Sequence, residues 1–305
     1  MGLRMSVTMG LGSRQEATIE GLRRRTTELE GLGFDGVWMP TASSFDAITA
    51  LVAAGAGTSR IGIGTAIVPT FPRHPVAMAQ QALTAQAALG GRFTLGIGLS
   101  HKVMMEDALG IPYIHPAAHM SEYLSVLAPL LRGEHVSFRG ESYRVETELT
   151  VAGGTPVPLV VAALGPAMLK LAGRFADGTI TSWVGPRTLE QHIVPLIAGA
   201  AREAGRTAPR IIAGLPIALT HDIGAARERV ATQSAWYNSL PSYRAMFERE
   251  GVSGPADLAI LGDEKDLEDG LRRLAEAGAS EFAAQLVAVE PGSPARTLNY
   301  LASRC

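Results

Sequence analysis

Seven histidines, His74, His101, His115, His119, His135, His192 and His221, are the first candidates for proton transfer or metal ligation. An unperturbed imidazole titrates near ~6.5, so any of them could exchange a proton at neutral pH. His115 and His119 have the i, i+4 spacing that can set two ligands on one helix face. Pro116 follows His115, however, and no H-E-x-x-H motif is present, so surface or loop positions are the plainer reading. His101 stands just after a strand-like run. It is open to two readings, a catalytic proton donor or a loop histidine that merely starts the next helix. The only cysteine, Cys305, excludes an intrachain disulfide and a thiolate zinc site. There is no G-x-S-x-G elbow and no Walker A loop, which disfavours an α/β-hydrolase or a P-loop enzyme.

Glycine patterns offer ligand-binding chemistry of uneven weight. Gly31-Leu-Gly33-Phe-Asp-Gly36 satisfies G-x-G-x-x-G on paper. The dinucleotide mechanism needs a strand before it and a helix after it, and here the order is reversed, so a helix end and an αβ loop are expected. Gly10-Leu-Gly12 follows a strand-like run, but Gln15 stands where the third glycine should be. Ala162-Ala163-Leu164-Gly165-Pro166-Ala167 is more specific. An apolar strand passes through glycine into a helix that starts with proline, and the free N–H groups and dipole of such a start attract an anion. An ordinary tight βα turn is the competing reading. At the ends of two further strands, Thr65-Ala66-Ile67-Val68-Pro69 and Gly96-Ile97-Gly98-Leu99-Ser100, small residues either leave room for a flat ring or fill the taper of a barrel.

These candidates need a scaffold, and the chain supplies a regular one. It has 305 residues, 47% hydrophobic and 18% charged, which excludes intrinsic disorder. Lys plus Arg is 27 against 29 for Asp plus Glu, a net charge of −2, without the basic excess of a nucleic-acid binder. No run reaches the ~20 apolar residues of a membrane span, and residues 1–12 lack a signal-peptide pattern, so a cytoplasmic protein is expected. Strands are expected at 4–9, 35–40, 60–69, 92–99, 159–164, 179–183, 210–220 and 281–289. Helices are expected after Gly12 to about Glu30, at 45–56 behind a serine cap from Ser43 or Ser44, and at 75–89, 166–176, 189–204, 222–250 (broken by Pro241) and 264–277, with a short one at the C-terminus. Residues 101–157 break the rhythm with a short helix, a turn at 111–116, a helix at about 116–131 and a hairpin of 135–139 with 141–145. Strands such as 159–164 are too continuously apolar for a sheet with one wet face. Eight strand–helix units point to one α/β domain over residues 1–305, a closed (β/α)₈ TIM barrel with an insertion after strand 4. An open doubly wound sheet is the alternative.

With these segments in place, the chain resembles the luciferase-like flavin and deazaflavin oxidoreductases, and within them the F420-dependent actinobacterial branch. The resemblance spans nearly the whole chain. It rests on LEGLGFDGVW from Leu29, SRIGIGTAIVPTFPRHPVAMAQQA from Ser59, GGRFTLGIGLSH from Gly90, AALGPAMLKLAGRFADGTITSW from Ala162 and LRRLAEAGASEF from Leu271. It implies the same barrel fold, with coenzyme F420 or FMN at the C-terminal ends of the strands, and often a dimer.

Carried over by position, the resemblance makes Thr65, Ala66 and Ile67 the bulge behind the deazaflavin ring, often with a non-prolyl cis peptide. Ala163, Leu164, Gly165 and Pro166 match the phosphate-binding turn. Thr41 and Ala42 fall where related sugar-phosphate dehydrogenases carry an Asp-His pair, and Leu99 falls where they carry a glutamate. Those catalytic groups are therefore absent, and sugar-phosphate oxidation is in doubt. Thr41, Leu99 and Ser100 remain expected cofactor contacts, Met9, Phe71 and Trp183 the substrate pocket, and His101 the catalytic candidate. The expected function is hydride transfer between the deazaflavin C5 and a small organic substrate. An FMN-dependent monooxygenase is the near alternative, and a non-catalytic cofactor-binding barrel the distant one.

Overall fold

The computed structural model describes residues 2–10, 18–42 and 44–305. The strands follow in chain order as β1 (Arg4–Thr8), β2 (Gly36–Met39), β3 (Gly62–Thr65), β4 (Val68–Pro69), β5 (Phe93–Gly98), β6 (Val136–Arg139), β7 (Arg144–Thr147), β8 (Leu159–Val161), β9 (Gly178–Ser182), β10 (Arg210–Leu219), β11 (Ile260–Gly262) and β12 (Glu281–Leu286). β1 pairs in parallel with both β2 and β12, and the ladder runs on through β3, β5, β8, β9 and β10 back to β12. Helices connect these strands on the outside, so the fold is a closed (β/α)₈ barrel, and the open-sheet alternative is ruled out.

The period-2 alternation of each strand separates two apolar regions. Trp38, Val160, Ile180, Ile212 and Ala283 pack together inside the ring, joined by Ala66, Ile67 and Ala162. The large outer cluster, which includes Val7, Ile63, Leu95 and Val161, lies between strands and helices. The inward glycines are filled rather than open. A Cβ on Gly64 would meet the Trp38 ring at 2.3 Å, and one on Gly96 would meet the Thr65 carbonyl oxygen at 1.9 Å. Of the two readings of those glycines, taper filling and close backbone approach is the one observed.

At the N-terminal end of the ring, the buried Glu281 carboxylate ties four elements together. It accepts from Ser6 Oγ at 2.6 Å, Trp38 Nε1 at 2.7 Å, Arg4 at 2.5 Å and Arg210 at 2.9 Å. This network fixes the indole that in turn fills the space beside Gly64.

Several boundaries differ from expectation for identifiable reasons. The start of the first helix near Gly12, Gln15 and the Ser43 cap lie outside the described residues. The helix Ala47–Gly55 is capped by Asp46, whose carboxylate accepts from Thr49 N at 2.9 Å. Residues 60–69 form two strands, because the chain bulges at a cis Ala66–Ile67 peptide before β4 resumes beside β5. The hairpin pairs β6 with Arg144–Thr147 rather than 141–145, since Glu122 takes the N–H groups of Glu141, Ser142 and Tyr143 out of the ladder. A π-helical turn, Leu189–Ile193, interrupts the helix expected at 189–204. β11, not expected at all, adds to the upper half of β10.

Candidate functional site

A cavity of about 1370 Å³ opens at the C-terminal ends of the strands. Ordinary ligand pockets hold roughly 300–1000 Å³, so this one has room for a cofactor and a substrate together. Its inner wall includes Ala66, Ser182, Trp183, Pro216, Tyr237 and Gln285. Gln285 Nε2 lies 3.5 Å from Ser182 Oγ, leaving amide and hydroxyl near the barrel axis.

Of the residues named from the sequence, Gly10, Ala66 and Trp183 line this cavity. The Ala66–Ile67 bond is cis, as the resemblance implied, and sets the Ala66 methyl on the cavity wall. The bulge is held from both sides. Thr41 N–H donates to the Ile67 carbonyl at 3.0 Å, and Ala66 N–H donates to the Met39 carbonyl at 2.8 Å. Thr65 Oγ1 donates to the Gly96 carbonyl and accepts from Gly96 N–H, each at 2.8 Å, so its side chain is a buried lock between β3 and β5. Thr41 Oγ1 accepts from Ala47 N–H at 3.3 Å. Leu99 packs against the outer core.

Trp183 and Ser100 both have positive φ, 59° and 61°, at the exits of β9 and β5. A bulky residue seldom adopts this conformation, and such outliers gather where a site imposes them. The Trp183 ring centroid lies 5.2 Å from that of Tyr237, and Tyr237 in turn contacts Trp236 and Tyr243. His101 sits one ring further out, edge-on to Trp236 at 4.9 Å and 5.8 Å from Tyr243. Burial pushes its pKa below the ordinary histidine value, so the neutral imidazole dominates at pH 7.

Two expected substrate-pocket residues lie elsewhere. Met9 is fully buried, with its sulfur 3.8 Å from Thr26 Oγ1, and belongs to the outer core. Phe71 stacks on His119 with ring centroids 4.0 Å apart and an interplanar angle of 4°. His119 Nε2 is 3.1 Å from Thr70 Oγ1. His119 is therefore neither a loose surface residue nor paired with His115, which precedes its helix at φ 45°. Among the described residues no cluster of three metal-ligating side chains occurs, and no helix is long and apolar enough to cross a membrane.

The turn after β8 is an open helix start. Gly165 is the N-cap of helix Pro166–Phe175, with φ −82° and ψ 157°, and no side chain caps that helix. A Cβ on Gly165 would meet no atom within 4 Å, so the approach to the backbone is open. Ala163 is buried beneath the turn. The Leu164 carbonyl is held by His192 Nε2 at 2.8 Å.

Gln285 and Tyr237 are not among the candidates read from the sequence, and His192 stands there only as one of seven histidines. Gln285 had a readable signal, a polar residue inside the apolar run FAAQLVAV. Tyr237 and His192 carry no local signal for these places, because Trp183 and Leu164, which they meet, lie tens of residues away.

A family model described as luciferase-like monooxygenase matches residues 3–299. An F420-dependent glucose-6-phosphate dehydrogenase of Beutenbergia cavernae is 32% identical over 253 residues, covering 78% of this chain and 74% of that protein. The F420-dependent tetrahydromethanopterin reductase of Methanopyrus kandleri superposes with a TM-score of 0.82 at 21% identity, over 100% of this chain and 98% of its own. The oxygenating constituent of 3,6-diketocamphane monooxygenase from Pseudomonas putida, solved with FMN, gives 0.77 at 16% identity, over 99% and 97%.

Proposed function

Because the chain belongs to the luciferase-like monooxygenase family, we propose that it is an F420-dependent oxidoreductase that exchanges a hydride with a small organic substrate. The observation that carries this reading is a pair of features at the barrel mouth, at the exits of β3 and β8, the two strands that flank β5. After β3, Ala66 of the Ala66–Ile67 bulge lines the cavity. After β8, the uncapped helix start at Gly165 leaves an open backbone approach for a phosphate. F420-dependent enzymes among the relatives support the cofactor. The FMN complex of a structural neighbour keeps an FMN-dependent monooxygenase as the second reading.

When bound, the deazaflavin supplies a hydride at C5, and the protein supplies position and dryness. Ala66 and Ile67 would back the ring, with Thr41 and Thr65 holding that bulge through the bonds described above. Leu99 and Ser100 would shape the neighbouring rim, and Ala163, Leu164, Gly165 and Pro166 would receive the phosphate. Trp183 and Tyr237 would face the substrate. The positions corresponding to the sugar-phosphate dehydrogenase catalytic groups hold Thr41, Ala42 and Leu99, so the substrate is not assigned to that class. Anaerobic mixing with reduced F420 and a panel of carbonyl compounds, enones and imines tests the reaction type. Reappearance of oxidised F420 without oxygen is expected; turnover that requires both reduced FMN and oxygen would contradict it.

His101 is the proposed source or organiser of the substrate proton. Its pKa, lowered by burial, means that the acidic form is scarce at pH 7 and accumulates only on the acid side of the ordinary histidine range. A positioned acid contributes about 10²–10⁴-fold. The rate should therefore rise as pH falls through that region, and His101→Asn should remove this rise and slow turnover at least tenfold with F420 affinity unchanged. A rate within about threefold of wild type would leave His101 as scaffold.

A further inference from the structure

His192 is 7% exposed and its Nε2 lies 2.8 Å from the carbonyl oxygen of Leu164. A carbonyl only accepts, so this nitrogen carries the hydrogen and donates it. The residue sits in the π-helical turn Leu189–Ile193, where one extra residue per turn widens the helix and redirects a side chain. Below it, the helix Pro166–Phe175 is seated tightly on the helix Val194–Glu203. A Cβ on Gly173 would lie 2.4 Å from the Ile197 carbonyl oxygen. The imidazole extends this seat up to the turn that precedes Gly165.

The consequence lies in one peptide plane. The Leu164–Gly165 bond is trans, so its C=O and N–H point in opposite directions. Holding the carbonyl on His192 therefore aims the Gly165 N–H away from His192. Among the described residues that N–H has no hydrogen-bond partner. It belongs to the same residue whose Cβ position is open space. We propose that His192 is a positioning residue for anion binding: it fixes the Leu164–Gly165 peptide so that the Gly165 N–H meets the phosphate of the bound cofactor. The proposal rests on the F420 reading given above. Without the imidazole, the peptide is free to rotate its N–H off the phosphate, while the ring-binding bulge at Ala66–Ile67 is untouched.

The test compares affinity for F420 with affinity for its phosphate-free deazariboflavin fragment, each followed by fluorescence titration of the purified protein. His192→Leu should weaken F420 at least about fivefold and leave the fragment within about twofold. His192→Gln, whose amide nitrogen reaches about as far as Nε2, should keep F420 within about threefold of wild type. Should the Leu variant fail to fold, His192→Asn replaces it, being too short to reach Leu164, with the same expectation. Equal weakening of both ligands, no weakening of F420, or a Gln variant as weak as Leu would overturn the proposal. Gly165→Val, titrated in parallel, separates the two levels. If it too binds F420 normally, the phosphate reading itself fails; if it alone loses affinity, only the role of His192 fails.

Discussion

Gly165→Val should lower F420 affinity at least about tenfold, equivalent to about 1.4 kcal/mol, while the protein melts as the wild type does. The fold should tolerate the change because φ −82° and ψ 157° are ordinary for valine and suit a residue before proline. The new Cβ meets no protein atom within 4 Å. The space it fills is the space a phosphate needs to reach the backbone N–H groups of the turn. Fluorescence titration of F420 with a thermal melt on the same sample checks both halves. Unchanged affinity would place the phosphate elsewhere.

Glu281→Ala should have the largest effect on stability, a loss of about 3–5 kcal/mol. The carboxylate is almost completely buried, and its removal orphans the Ser6 hydroxyl and the Trp38 indole N–H, both inside the ring. Each buried donor left without an acceptor costs about 1–3 kcal/mol. Arg4 and Arg210 are partly exposed and can turn to water, which limits the loss from the ion pairs. A melting temperature lower by roughly 10 °C is expected. Glu281→Gln, which keeps one acceptor oxygen, should lose about half as much. A melting point within about 2 °C of wild type for the Ala variant would show that the network is dispensable. The same variant should loosen Trp38, the residue that fills the space beside Gly64 and packs with Ala66 and Ile67.

The barrel was legible because its strands are buried on both faces. Runs such as those around Leu159 and Ile211 carry no polar alternation, and Pro75, Pro116 and Pro166 mark helix starts where the structure has them. The turn at Gly165 was legible for the same local reason. What could not be read depends on contacts between distant residues. Glu281 meets Ser6 across 275 positions and Trp38 across 243. His192 meets Leu164 only because two helices pack side by side. β11 is three residues long and exists because β10 outlasts its neighbour β9. Met9 follows the same logic in reverse. Its place at the exit of β1 points to the mouth, but the strand's alternation turns it outward onto Thr26.

The most direct test of the cofactor assignment is a pair of separate fluorescence titrations, F420 and FMN, on the purified chain. The account predicts micromolar binding of F420, about −8 kcal/mol, and weaker binding of FMN. FMN binding as tightly as F420, or more tightly, would contradict it.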